Sequence, residues 1–223
     1  MNLKAASIVL SSCVAAMLVA APAKADTVMG SVWANGATTT VPAAGSSIYS
    51  TTPTAVVSIS NSNSQAIINF FSSTDTSLTG FLTTSAAAGH PSNGDTVTYL
   101  SGANQSNINN DLFQFTGTTT LATGTYTTSH DDGLILYLNG SAVINDPGLT
   151  AAVDTPFTVC ASGCNATPGT YSFVLDYAEL NGAPAQLTAT LPLTSPTPEP
   201  SSFILLGSGL LGVAGMLRRR MKV

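Results

Sequence analysis

Asp131 and Asp132 stand side by side just before Gly133 and the apolar run Leu134-Ile135-Leu136-Tyr137-Leu138. General acid–base hydrolysis of a glycan needs two carboxylates facing each other across a cleft several ångströms wide. Sequence neighbours are poorly arranged for that. The body holds no Gly-x-Ser-x-Gly nucleophile elbow, and the chain holds no His-Glu-x-x-His zinc motif. Catalysis is therefore not expected. His130 beside the pair could join a site, although a lone loop histidine is more commonly just exposed.

Composition bears on what these carboxylates can pair with. The six basic residues are Lys4, Lys24, Arg218, Arg219, Arg220 and Lys222, whereas all eleven Asp and Glu lie between Asp26 and Glu199. The chain as a whole sums to −5, but its body is purely acidic. Such a body can form no internal Lys or Arg salt bridge. It also repels phosphate backbones, which excludes nucleic acid as a partner. Metal ions, calcium especially, are natural counter-charges for acidic groups without basic partners. The same composition, rich in Ser, Thr, Asn and Gly, equally suits a soluble extracellular surface.

Cys13 lies in the N-terminal apolar stretch, leaving Cys160 and Cys164 in the sequence Cys160-Ala161-Ser162-Gly163-Cys164. Two cysteines this close after the strand-like Phe157-Thr158-Val159 can close a small loop through a disulfide in an oxidising compartment. A zinc site needs further Cys or His ligands, and none is adjacent. A redox Cys-x-x-Cys motif needs two intervening residues, not three.

The elements that carry these residues are short strands with turn-rich joins. Segments 28–33, 55–59, 66–71, 78–82, 96–100, 112–116, 124–129, 134–138, 142–144, 156–160, 170–177 and 186–191 read as strands, separated by Gly, Ser, Asn, Pro and Thr. No sustained 3.6-residue apolar period occurs in the body, so no long helix is expected. The reading is an all-β fold, an antiparallel β-sandwich of one domain over 26–191. Its best-defined unit is the hairpin from Gly133 to Asp146, where Asn139-Gly140 supplies two residues tolerant of positive φ for a type I′ turn. Leu134 to Leu138 suits a strand buried on both faces. Tyr171, Phe173, Leu175 and Tyr177 make one strand face aromatic, which reads as core.

Targeting signals flank the body. Residues 1–25 run from Lys4 through an apolar middle to Ala21-Pro22-Ala23-Lys24-Ala25, the pattern of a secretory signal peptide cut after Ala25. At the other end, 192–201 is a Pro-rich linker, 202–217 an uncharged apolar helix segment, and 218–223 a basic tail expected to stay cytoplasmic. At 1.5 Å per residue the uncharged stretch reaches about 23 Å, short of a roughly 30 Å hydrocarbon core, which suits a temporary membrane anchor. Gly207-Ser208-Gly209-Leu210-Leu211-Gly212 fits Gly-x-Gly-x-x-Gly, but it follows no strand and is not a dinucleotide site.

The order Pro198-Glu199-Pro200, apolar helix, then Arg218, Arg219, Arg220 and Lys222 resembles the PEP-CTERM sorting signal of bacterial surface proteins. That resemblance implies export, passage through the secretion machinery, and cutting near the Pro-Glu-Pro by an exosortase, a membrane-embedded cysteine peptidase. The tail is also grouped under a label naming ice-binding proteins. Thr38-Thr39-Thr40, Thr118-Thr119-Thr120 and Thr127-Thr128 lack the regular spacing of an ice-binding array.

Gly124-Thr125-Tyr126, Asp131-Asp132-Gly133, Gly169-Thr170-Tyr171 and Tyr177-Ala178-Glu179 with Gly182 resemble, over roughly 108–191, the C-terminal half of protective-antigen-type β-sandwich domains. In the sugar-binding branch of that family, adjacent aspartates hold a calcium ion that contacts glycan hydroxyls. The resemblance implies Asp131 and Asp132 as calcium ligands, with Glu179 and Asn181 about where the later loop's ligands belong. Calcium takes six to eight oxygens, and adjacent carboxylates on a turn can both face one ion. In other such domains the Asp pair only satisfies turn backbone groups. The sequence thus leaves three functions open. They are a non-enzymatic surface or matrix protein associated with exopolysaccharide, a calcium-dependent glycan-binding module, and a glycan-processing enzyme.

Overall fold

Alternating apolar and polar positions build two antiparallel sheets in the computed structural model, which describes residues 26–37, 39–61, 68–72, 77–83 and 96–193. The larger sheet runs in the order β4 (Thr96–Ser101), β2 (Ala55–Asn61), β1 (Asp26–Trp33), β5 (Asp111–Leu121), β10 (Gly169–Glu179), β7 (Gly133–Leu138) and β8 (Ser141–Asp146). The smaller runs β3 (Ile68–Ser72), β11 (Ala185–Ala189), β6 (Gly124–His130) and β9 (Val153–Val159). Between them lies a core in which Phe70 of β3, Leu187 of β11 and Phe157 of β9 meet Phe113, Phe115 and Tyr177 of the large sheet. Tyr177 stacks on Phe81 and tilts against Phe113, with ring centroids 5.9 and 5.8 Å apart.

Adjacent residues on a strand face opposite ways, so the large sheet has a second face. There Trp33, Leu112, Ile135 and Ala178, each next in sequence to a residue of the main core, form a smaller cluster. Ala37, Val41, Ile48 and Tyr49 of the 34–54 connection cover it. Leu134, Ile135, Leu136 and Leu138 are accordingly all buried, the two-faced burial expected for this strand. On β10, Phe173, Leu175 and Tyr177 are core and Tyr171 is partly buried. Asn139 and Gly140 both take positive φ in the turn between β7 and β8.

The segment 78–82 corrects the strand reading: Leu78–Thr83 is a short α-helix, α1. Its buried residues Leu78, Phe81 and Leu82 follow i, i+3, i+4 spacing rather than alternation. Ser77 starts it by accepting the Gly80 N–H on its hydroxyl at 3.0 Å, an N-cap interaction. The other strands match their sequence segments within a few residues, β5 extending furthest beyond its own. Of the 66–71 segment, the described part is β3.

The signal segment 1–25, Pro198-Glu199-Pro200, the apolar segment 202–217 and Arg218, Arg219, Arg220 and Lys222 lie outside the described residues. Among the described residues no helix is long and apolar enough to cross a membrane. Cys160 and Cys164 are joined by a disulfide that closes an exposed loop after β9.

Candidate functional site

Two crossings between the sheets converge at one place. The chain leaves β6 in the small sheet and enters β7 in the large one through only Asp131 and Asp132. It leaves β10 at Glu179 and returns to the small sheet at Ala185. Because β6 pairs with β11 and β7 with β10, the two crossings run side by side. Asp131, Asp132 and Glu179 are therefore brought together: each offers a carboxylate oxygen, and these oxygens lie within 4.8 Å of one another. Asp132 and Glu179 are fully buried and Asp131 is 8% exposed.

A single phenol holds two of the three. The Tyr177 hydroxyl lies 2.7 Å from Asp131 Oδ1 and 2.8 Å from Glu179 Oε2. A phenol has one proton, so it cannot satisfy both carboxylates fully at once. Backbone donors supply the rest. Gln186 N–H reaches Asp131 Oδ1 at 3.0 Å, Leu180 N–H reaches Asp132 Oδ2 at 2.7 Å, and Gly182 N–H reaches Glu179 Oε1 at 2.7 Å. Asp132 Oδ1 is buried without a hydrogen-bond partner. The pair thus does satisfy backbone groups, those of Leu180 after β10 and Gln186 in β11, and still leaves an acceptor over.

Electrostatics follow from burial without a basic neighbour. Desolvation pushes Glu179 up to about 8 and Asp131 up to about 6, and raises Asp132 as well. The Tyr177 hydroxyl is pushed well above its ordinary value by burial and by the two carboxylates beside it. Near neutral pH the cluster therefore retains a proton, shared among Glu179, Tyr177 and Asp131.

His130 is not the exposed loop side chain expected. It is fully buried, with Nδ1 2.6 Å from the Asp132 carbonyl and Nε2 2.9 Å from the Thr155 hydroxyl. With Nδ1–H donating to the carbonyl, Nε2 accepts from Thr155, and the ring clamps the turn. Asn181 donates its backbone N–H to Glu179 Oε1 at 3.3 Å, and lines a pocket rather than the carboxylate centre. That pocket, about 380 Å³, is bordered by Asp131, Asn181, Gln186 and Thr150 on its polar side, with Phe71 and Pro184 among its apolar lining. Sequence reasoning placed Tyr177 only in the core. The usable signal was its spacing, since Tyr177 and Glu179 are two apart on one strand and so share a face.

Gly133 makes the sharp exit from the turn possible. A Cβ there would lie 2.3 Å from the Pro147 carbonyl oxygen, a backbone atom that itself accepts from Val41 N–H. Gly133→Ala is expected to destabilise the fold by about 1–3 kcal/mol through overpacking and to displace Asp132. Chemical denaturation of the variant checks this, and an unchanged midpoint would contradict it.

Fold and site define an all-β, antiparallel two-sheet protein with a buried three-carboxylate centre beside a surface pocket. Residues 196–220 match the PEP-CTERM protein-sorting motif, which marks the chain as an exported, membrane-processed surface protein. No curated protein matches the chain. Among solved structures, it is similar to a PA14 sugar-binding domain from an RTX adhesin, at 20% identity over 74% of this chain and 88% of the other, with a TM-score of 0.49. It is also similar to the PA14 domain of the MpAFP antifreeze protein, at 15% identity over 81% and 89%, with a TM-score of 0.48. A GH31 alpha-xylosidase from Xanthomonas citri shares 11% identity over 66% of this chain and 17% of its own, with a TM-score of 0.23. Likenesses this distant carry no argument about ligand or activity.

Proposed function

We propose that the exported body is a non-enzymatic glycan-binding module of a surface or matrix protein, with a calcium ion held by Asp131, Asp132 and Glu179. The observation that carries this reading is the buried carboxylate trio with its orphaned Asp132 Oδ1, in a body that contains no Lys or Arg. An unpaired buried carboxylate oxygen costs about 1–3 kcal/mol or more, and a hard cation with oxygen ligands removes that cost. The donor set fits calcium, because every candidate ligand is an oxygen. When bound, the ion supplies positive charge against which sugar hydroxyls can be oriented. Asn181, Gln186 and Thr150 offer hydrogen bonds at the pocket, and Phe71 and Pro184 offer an apolar surface for a sugar ring. Hydrolysis is disfavoured because the carboxylates are packed together and only Asp131 of the three reaches the pocket. The sorting motif supports delivery to the surface with exosortase processing, where exopolysaccharide is the natural glycan partner.

Calcium titrated calorimetrically into chelator-treated protein is expected to bind at one site, and glycan-array binding is expected to vanish with excess chelator. Asp131→Asn should weaken calcium at least about tenfold, equivalent to about 1.4 kcal/mol. Glycan binding that survives both chelator and Asp131→Asn would refute the calcium-dependent reading.

A further inference from the structure

The second face of the large sheet carries another pocket, of about 230 Å³, which shares no lining residue with the first. Asp176 of β10 is among its lining residues and is only 1% exposed. Its cross-strand neighbours are Gln114 of β5 and Ile135 of β7. Gln114 Nε2 donates to Asp176 Oδ1 at 3.0 Å, which leaves the amide carbonyl of Gln114 as a further acceptor. The Tyr49 hydroxyl donates to the Pro42 carbonyl at 3.0 Å, and Tyr49 lines the same pocket as Asp176. Across the pocket, the Tyr137 oxygen accepts the Ala44 N–H at 3.2 Å. The lining is therefore rich in acceptors, walled by two tyrosines, and built around a buried carboxylate with no basic side chain to pair with.

These features discriminate among ligand classes. An anion meets Asp176 and is repelled. A calcium ion takes six to eight oxygens and favours several carboxylates, whereas this pocket offers one. A neutral hydroxyl can accept or donate here but leaves the carboxylate charge uncompensated. An ammonium group answers each feature: its N–H bonds serve the acceptors, its charge pairs with the carboxylate, and tyrosine rings attract cations. We propose that this pocket binds a small organic primary ammonium ion of the kind an amino sugar carries. The proposal stands independently of the calcium reading, because the two pockets have no residue in common.

Glucosamine and glucose differ at one position, ammonium against hydroxyl, and make a matched pair of probes. The purified full-length chain is titrated with each at pH 6.8, where Asp176, raised by burial to about 6, is mostly ionised and the amino group of glucosamine is mostly protonated. Saturation-transfer NMR and calorimetry are expected to detect glucosamine, with glucose at least about tenfold weaker, or about 1.4 kcal/mol. Asp176→Asn is expected to weaken glucosamine by a similar factor while leaving the calcium response of the other site unchanged. Ala44→Trp fills the exposed rim of the pocket without touching the core, and is expected to block glucosamine in a normally folded protein. Equal binding of glucose and glucosamine, no saturation transfer to millimolar glucosamine, or glucosamine binding that survives Ala44→Trp would each overturn the proposal.

Discussion

In excess chelator the protein is expected to lose stability as pH rises from about 4.5 to about 8, the reverse of ordinary acid denaturation. The sign follows from the direction of the shifts. Glu179 titrates at about 8 in the fold against 4.5 normally, and Asp131 at about 6 against 3.8. Between those values the unfolded chain has released protons that the folded chain still holds. Stability therefore falls with pH across the window and levels off above it. Asp111 and Asp176, each raised by burial to about 6, add to the loss between roughly pH 4 and 6 in the same sense. At about 1.4 kcal/mol per pKa unit, Glu179 alone contributes on the order of a few kcal/mol, reduced by the proton it shares with Tyr177. For a domain of this size that is a fall in Tm of roughly 5–10 °C between pH 5 and pH 8. Calcium is expected to invert the slope, because its ligands must be deprotonated and its binding grows with pH. Thermal melts at pH 5, 6.5 and 8, with chelator and with calcium, measure both slopes. A Tm in chelator that is flat or rises with pH would show that the carboxylates carry no such burden.

The same absence of basic residues that makes this titration unusual is visible in the sequence, where it marks metal ions as the available counter-charges. The β-rich architecture was legible because its signals are local. Alternation marks strands, Asn139-Gly140 marks a hairpin, and an unbroken run such as Leu134–Leu138 marks a strand buried on both faces. Local signals failed at Leu78–Thr83. There six residues fit either period, and the deciding interactions are the Ser77 cap and contacts to a distant loop, the Leu78 N–H to the Gln105 carbonyl and the Thr79 N–H to the Asn104 side chain.

The site was half legible for a related reason. Asp131 and Asp132 stand out because they are adjacent and precede a glycine. That they meet Glu179 depends on two crossings lying next to each other, a property of strand order and not of any one segment. His130 and Tyr177 looked ordinary for their neighbourhoods, a loop and an aromatic strand face. Each acquires its role only from groups brought up by the fold: the Asp132 carbonyl and Thr155 for the first, Asp131 and Glu179 for the second. The Asp176 pocket was not legible at all, because the 34–54 connection that covers it showed no pattern of its own.

Tyr177→Phe is the substitution expected to separate packing from proton sharing. Phenylalanine keeps the ring against Phe81 and Phe113 and removes only the hydroxyl. Asp131 Oδ1 retains the Gln186 N–H, whereas Glu179 Oε2 loses the one side-chain donor beside it. A stranded acceptor in a buried site costs about 1–3 kcal/mol, so the variant in chelator should lose about that much near pH 7. At pH 5 the loss should shrink, because Asp131, at about 6, then carries its own proton and no longer needs the phenol's, and it should grow above pH 8, where Glu179 ionises. Calcium held as proposed should shrink it too, by placing a cation where the shared proton had been. Glu179→Gln replaces the titrating carboxyl that competes for the phenol by a neutral amide, so the double variant should lose markedly less than the sum of the two single losses. Denaturant melts of the four proteins at both pH values give the coupling directly. Additive losses that do not change with pH would mean that Tyr177 acts through packing alone, and that its hydroxyl does not organise the carboxylate centre.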